Sequence, residues 1–171
     1  MARVQPFVDV SKLDLESPLE AGAELDALLP QRGDMRHVDG LLSVELGDEG
    51  MAVGYKTVHS EEFWCAGHFP GWPVLPGVIM IEALAQLCCC FWRKQFNPEG
   101  RMMMFGGLDG AKFRGTVRPD TTLILVIKPS YLRMRLSRFD CQAINDGEVV
   151  CEAVIKGILG PKPDDTVPAG P

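Results

Sequence analysis

The sequence lacks the cysteine pattern of a disulfide-stabilised domain. It has six cysteines, but three of them, Cys88 to Cys90, are consecutive within an apolar segment. Consecutive side chains on a helix point in different directions, so this run is typical of small buried side chains rather than of paired ones. We therefore expect free thiols in a reducing compartment, which places the protein in the cytoplasm.

No basic region followed by an apolar run opens the sequence, so we expect no secretory signal. The sequence also shows no internal repeat. Its longest apolar segment, about 77–96, would reach across a bilayer at ~1.5 Å per residue. However, Glu82 and Gln86 lie inside this segment, and an ionised group at mid-membrane costs on the order of 3 kcal/mol. We expect a buried helix and no membrane span.

What remains is an ordinary globular composition with an uneven charge. The 171 residues are 46% hydrophobic and 23% charged, which is enough for one domain with a sizeable core. The net charge is −6, yet ten lysines and arginines face three acids between Arg93 and Arg138. This basic stretch could steer an acidic partner or protect exposed strand edges, and the sequence leaves both interpretations open.

The hydrophobic pattern predicts one sheet and one long helix. Leucines within 25–29 have the spacing of a short amphipathic helix that Pro30 ends. Further elements are expected as two strands within 38–58, a helix over 77–96, and strands at 102–113, 121–136, 137–144 and 148–159. Asp146-Gly147 is a hairpin signal between the last two strands. We divide the chain into an extension (1–20), one α+β domain (21–160) and a disordered, proline-rich tail (161–171).

The predicted helix carries one polar stripe. Glu82, Gln86, Cys89 and Arg93 fall on one narrow line along it, and the rest of its circumference is apolar. A helix that is apolar nearly all round is covered nearly all round, so the stripe must face a cleft or another subunit. A carboxyl buried there keeps its proton to a higher pH than a free one and is a candidate general acid.

Two further features could complete a site with this acid. His68 lies on the Pro/Gly-rich loop before the helix and is a candidate base, since its ordinary pKa is ~6.5. Gly77 and Val78 begin the helix, where N–H groups without helical partners could hold a carbonyl oxygen that gains charge. Base, acid and N–H donors suit proton abstraction beside a carbonyl, with loss or migration of a group one carbon further on. Spacing alone leaves a purely structural role for both ionisable residues open.

The segment 67–86, "GHFPGWPVLPGVIMIEALAQ", closely resembles the signature of the FabZ-type 3-hydroxyacyl-(acyl-carrier-protein) dehydratases, which have the hotdog fold. The resemblance covers roughly 25–160. "LLPQR" is similar to the family's Leu-Pro-His-Arg segment, "FGGLDGAKFRGTVRP" to its Gly-Ile-Asp strand and turn, and "DGEVVCEAVIKGIL" to its last strand. The implied fold class is α+β, an antiparallel sheet wrapped around one long central helix.

The resemblance implies roles for individual residues. His68 would remove the α-proton of a 3-hydroxyacyl thioester, Glu82 would protonate the departing hydroxyl, and the N–H of Gly77, with Val78, would polarise the thioester carbonyl. The sister dehydratase that also isomerises the double bond has Asp at the acid position, so Glu82 favours plain dehydration to the trans-2-enoyl thioester. No metal and no organic cofactor are implied.

The resemblance also implies partners. The substrate would be carried on an acyl carrier protein, nucleic acid would play no part, and the chain would form a homodimer that can assemble as a trimer of dimers. In this family, His and Glu of one site come from different subunits. Phe69, Met104 and Phe105 would line an acyl tunnel, although Met104 stands where many members have Tyr.

One segment departs from the family pattern. Where relatives have Pro-His-Arg-Tyr-Pro-Phe-Leu-Leu-Val-Asp, this chain has "PQRGDMRHVD" over 30–39, so acyl length is not predicted. Two alternatives stay open: a hotdog thioesterase, and a non-catalytic partner of an acyl carrier protein in a specialised lipid or polyketide pathway. Cys65 near His68 could suggest a thiol nucleophile or a metal pair, but two ligands do not make a zinc site. We expect His37 and His59 on the surface.

Overall fold

A computed structural model describes residues 4–161, which form one helix and seven strands. The elements are β1 (Glu20–Ala21), β2 (Gly40–Glu45), β3 (Met51–Val58), α1 (Gly77–Phe96), β4 (Met103–Phe113), β5 (Thr121–Leu132), β6 (Leu136–Asn145) and β7 (Glu148–Leu159). Three short 3₁₀ helices, Val10–Lys12, Gly22–Ala27 and Gly33–Met35, precede β2. The predicted tail beyond Pro161 lies outside the described residues, and the division into extension, domain and tail stays a prediction.

All seven strands join one antiparallel sheet in the order β1-β2-β3-β5-β6-β7-β4. The sheet curves around α1, which contacts five of the strands. Leu84, Leu87 and Phe91 of the helix are fully buried against Leu125 and Ile127 of β5. This arrangement confirms the predicted hotdog fold, and it explains why the helix is apolar nearly all round.

The predicted hairpin between the last two strands is confirmed. Asp146 and Gly147 have φ values of 50° and 76°, and Asn145 pairs with Glu148 across them. A two-residue turn with two positive φ values matches the right-handed twist of the flanking strands.

Two element predictions were wrong in detail. The strand expected over 121–136 ends at Leu132, because Ser137 closes a turn there: its hydroxyl donates to the Arg133 carbonyl (2.8 Å) and accepts from the Arg133 N–H (3.3 Å). The helix expected around 25–29 is a 3₁₀ helix that ends at Ala27, although its leucines do enter the core. Among residues 4–161, no helix is long and apolar enough to span a membrane.

Candidate active site

The loop before α1 holds His68 in one tautomer. Its ring Nδ1 lies 2.7 Å from the Val74 carbonyl oxygen. A carbonyl can only accept, so Nδ1 carries the hydrogen and Nε2 keeps a free lone pair. The backbone fixes the same residue, because the His68 N–H donates to Trp64 and its carbonyl accepts from Val74, both at 2.8 Å. The half-buried imidazole is therefore oriented as a base.

The N-terminus of α1 provides the free donors that the sequence predicted. Pro76 precedes the helix and offers no side-chain cap, and within residues 4–161 neither the Gly77 nor the Val78 N–H donates to an acceptor. Gly77 also has no room for a side chain, because a Cβ there would lie 2.7 Å from the ring of Phe113. Two unpaired N–H groups at the positive end of a helix suit an oxygen that gains negative charge.

The acid lies one turn further along α1, where Gln86 holds it. Gln86 is 1% exposed and donates from Nε2 both to the Met35 carbonyl and to Oε1 of Glu82, each at 2.8 Å. Its Oε1 accepts the His37 N–H at 2.8 Å. Since the two backbone groups have fixed roles, the amide has only one orientation, and Oε1 of Glu82 must accept. When Glu82 is protonated, Oε2 therefore carries the proton.

The divergent segment 30–39 forms the wall behind this acid. Gln31 donates from Nε2 toward Oε1 of Glu82 at 3.5 Å. Arg36 holds the segment, because its guanidinium donates to the Gln31 carbonyl (3.1 Å) and pairs with the Asp26 carboxylate. That pairing lowers the pKa of Asp26. One residue that differs from the family pattern, Gln31, thus contacts the candidate acid directly.

This wall corrects our interpretation of the polar stripe. Gln86 faces Met35 and His37 of the same chain, and the thiol of Cys89 lies 4.0 Å from the Leu28 carbonyl oxygen. Burial raises the pKa of Cys89 to about 11, so it stays a neutral thiol. Most of the stripe is therefore covered by the chain's own segment before β2 rather than by a cleft or a second subunit.

The remaining predicted residues lie on the loop before α1 and on strand β4. Phe69 stacks on the His68 ring with centroids 4.1 Å apart and is 49% exposed. Met104 and Phe105 lie on β4 and are 46% and 49% exposed, whereas the neighbouring Met103 packs against the core. Within residues 4–161, no hydrogen bond or ion pair joins His68 to Glu82 of the same chain.

Sequence reasoning missed one buried polar side chain, that of His37. We predicted His37 at the surface, which was wrong: it is 2% exposed, whereas His59 is exposed as expected. Burial, assisted by the positive charge of Lys56, lowers the pKa of His37. The Pro30-to-Asp39 stretch has no regular hydrophobic period, so no sequence pattern indicates this burial.

A buried ion pair holds the start of the loop between β3 and α1, which carries His68. The ammonium group of Lys56 lies 2.9 Å from Glu62, which also accepts from the His59 N–H (3.0 Å) and the Trp64 ring N–H (2.9 Å). Burial raises the pKa of Glu62, but these hydrogen bonds outweigh it, so the pKa lies below its ordinary value. Glu62 thereby fixes the loop that leads to His68.

The cysteines take no part in this arrangement. All six are free thiols, as predicted. Cys65 lies 3.4 Å from the His59 carbonyl oxygen, and burial raises its pKa, so a reactive thiolate is disfavoured. In the part of the chain that the structure describes, no three side chains of His, Cys, Asp or Glu cluster as a metal site.

A seven-stranded antiparallel sheet around one long helix, with the candidate base His68 on the preceding loop and the candidate acid Glu82 in the helix, defines a protein of the hotdog class. The sequence-family model described as the FabA-like domain matches residues 29–154 of this chain. The FabZ 3-hydroxyacyl-(acyl-carrier-protein) dehydratase of Bacillus pumilus is 37% identical over 139 residues, which cover 81% of this chain and 95% of the relative. The chain belongs to the FabZ dehydratase family.

Solved structures agree on the fold. The ApeI:P dehydratase heterocomplex of Xenorhabdus doucetiae superposes with a TM-score of 0.67 at 17% identity, covering 81% of this chain and 91% of that one. A thioesterase-superfamily protein of Thermus thermophilus gives 0.57 at 16% identity, covering 69% and 86%. At these identities the likeness concerns the fold alone.

Proposed function

We propose that this chain is a cytoplasmic enzyme that dehydrates 3-hydroxyacyl thioesters on an acyl carrier protein to trans-2-enoyl thioesters, in fatty-acid or related lipid synthesis. The observation that carries the proposal is the hydrogen bond from Nδ1 of His68 to the Val74 carbonyl, which leaves Nε2 free as a base. Family membership supplies the substrate class, since the curated relatives carry the name of this dehydratase.

The reaction needs one proton removed and one delivered. Nε2 of His68 takes a proton from C2 of the acyl chain, and the negative charge that develops on the thioester oxygen is held by the N–H groups of Gly77 and Val78. Oε2 of Glu82 then gives its proton to the hydroxyl on C3, the C3–O bond breaks, and water leaves. The two residues return to their starting states when His68 loses its proton and Glu82 regains one from water.

We further propose that one site takes His68 from one copy and Glu82 from a second copy. Two features support this pairing: no hydrogen bond or ion pair joins these residues within described residues 4–161, and an apolar surface lies beside them. Strand β4 is the last strand of the sheet, so one of its edges has no partner strand. Large apolar residues around that edge and the helix N-terminus are 46–73% exposed, namely Phe69, Trp72, Val78, Met104, Phe105 and Phe113.

The carrier protein remains a proposed partner. Five of the ten basic residues within 93–138 pair with carboxylates: Lys94, Lys112, Arg114, Arg133 and Arg138. Arg118 is exposed, and its guanidinium has no ion pair within residues 4–161. It follows Val117, whose carbonyl holds the Leu75 N–H at 2.8 Å, just before the helix N-terminus. Arg118 is therefore placed to attract an acidic carrier to the site.

The test is a product assay with 3-hydroxyacyl and 2-enoyl carrier-protein thioesters, followed by mass spectrometry of the intact carrier. Dehydration and hydration lead to the same equilibrium mixture from either side, and we expect a mass loss of one water from the hydroxyacyl form. Release of free acid would assign the chain to the thioesterases, and the absence of any reaction would leave only carrier binding. Either outcome contradicts the proposal.

A further inference from the structure

The outer face of the sheet, opposite α1, carries a second apolar cluster. Val53, Ile124, Val126, Ile144 and Val149 are each at most 7% exposed and pack together on this face. They alternate along the strands with the residues that face the helix. An antiparallel sheet with one face on the core usually turns polar residues outward on the other, so this face needs a second cover.

The cover is an arm formed by residues 4–13. Five of its side chains pack against the outer cluster, namely Val4, Phe7, Val8, Val10 and Leu13. Gln142 of β6, 3% exposed, accepts the Phe7 N–H at 2.8 Å and donates to the Gln5 carbonyl at 3.2 Å. The ammonium group of Lys128 lies 4.7 Å from the centre of the Phe7 ring. The arm is thus seated by specific contacts.

The arm lies outside the part of the chain that defines the family. The family model begins at residue 29, and the Bacillus pumilus relative is 95% covered by a match that spans only 81% of this chain. Such a relative has little sequence left for an equivalent arm. The family model therefore covers the domain without this segment.

We propose that the arm keeps the outer face of the sheet from joining the same face of a second copy. Apolar sheet faces pack on each other at ~10 Å, and a two-fold axis makes one patch complementary to itself. The proposed active-site dimer uses the β4 edge and the helix N-terminus, so an uncovered outer face would add a second, independent interface. With the arm in place, assembly through this face is blocked. This inference does not depend on the reaction catalysed.

The test compares the full chain with a chain that begins at Asp14, by size-exclusion chromatography with light scattering over a range of concentrations. We expect the shortened chain to reach about twice the mass of the full chain at high concentration. The dehydratase rate per chain should be unchanged, because the arm and the site lie on opposite faces of the sheet. Adding Val149→Lys to the shortened chain places a charge on the open face and should restore the original mass.

Point variants in the full chain serve as matched controls. Val10→Asp puts a charge into the cluster and should reproduce the larger mass, whereas Leu15→Asp should not, since Leu15 is exposed and outside the cluster. An unchanged mass for both the shortened chain and Val10→Asp would overturn the proposal. So would a larger mass that Val149→Lys fails to reverse. Loss of the fold on shortening would overturn it too, because the arm would then belong to the core.

Discussion

At the scale of single residues, Gln86 links the acid to the backbone before β2. We expect Gln86→Met, which keeps the side-chain length, to lower kcat and the free energy of unfolding. It leaves the Met35 carbonyl and the His37 N–H unpaired and buried, at about 1–3 kcal/mol for each group. Urea unfolding and steady-state rates measure the two effects. Gln31→Leu is the control: it removes a longer contact of 3.5 Å and no backbone bond, so it should change stability little.

A second residue-scale prediction concerns pH. Burial, with Lys56 nearby, lowers the pKa of His37 in the folded state, whereas the unfolded chain takes up that proton below about pH 6.5. Protons then bind the unfolded state preferentially, so the free energy of unfolding should fall as pH drops below about 6.5. His37→Leu should flatten this part of the stability curve, measured by urea unfolding between pH 7.5 and 5.5. His59→Leu should not, and equal slopes in all three proteins would contradict the prediction.

At the scale of elements, the start of α1 depends on the close approach of Gly77 to β4. Gly77→Ala would place a methyl group 2.7 Å from the Phe113 ring, so that ring, the helix start or the strand must shift. We expect a loss of about 10²-fold in kcat, the size of the effect when a charge-stabilising donor is displaced. Gly67→Ala, on the same loop with no atom within 4 Å of its Cβ, should retain the rate. Equal rates for both variants would contradict the role of the helix N-terminus.

The same elements show how far the sequence determines the fold and the site. The helix, the sheet and the hairpin at Asp146 followed from hydrophobic period and turn residues, which act over short distances. The end of β5 did not, because the turn after it contains no glycine or proline and is closed by the Ser137 hydroxyl and a backbone hydrogen bond from Arg133 to Leu136. The burial of His37 depends on Gln86, 49 positions away, and no local pattern encodes such a contact.

At the scale of the whole molecule, the charge distribution makes a prediction about the carrier. Arg118→Glu should lower kcat/KM while leaving kcat unchanged, and the difference from the parent protein should shrink as salt is added. Arg135→Glu is the matched control: both arginines are exposed without an ion pair in residues 4–161, but Arg135 lies with Asn97 at the other end of α1, about 30 Å away. An unchanged kcat/KM in Arg118→Glu would return this residue to a plain surface role.

In the proposed enzyme, His68 of one copy and Glu82 of another form one dehydratase site. The most direct measurement mixes two inactive proteins, His68→Ala and Glu82→Gln, under conditions where dimers exchange subunits, and follows dehydration of a 3-hydroxyacyl carrier-protein thioester. In a mixed dimer one site loses both residues and the other keeps both. We therefore predict recovery of about a quarter of the parent activity from an equal mixture. A mixture of exchanged dimers that stays inactive would show that the two residues do not share a site across the dimer.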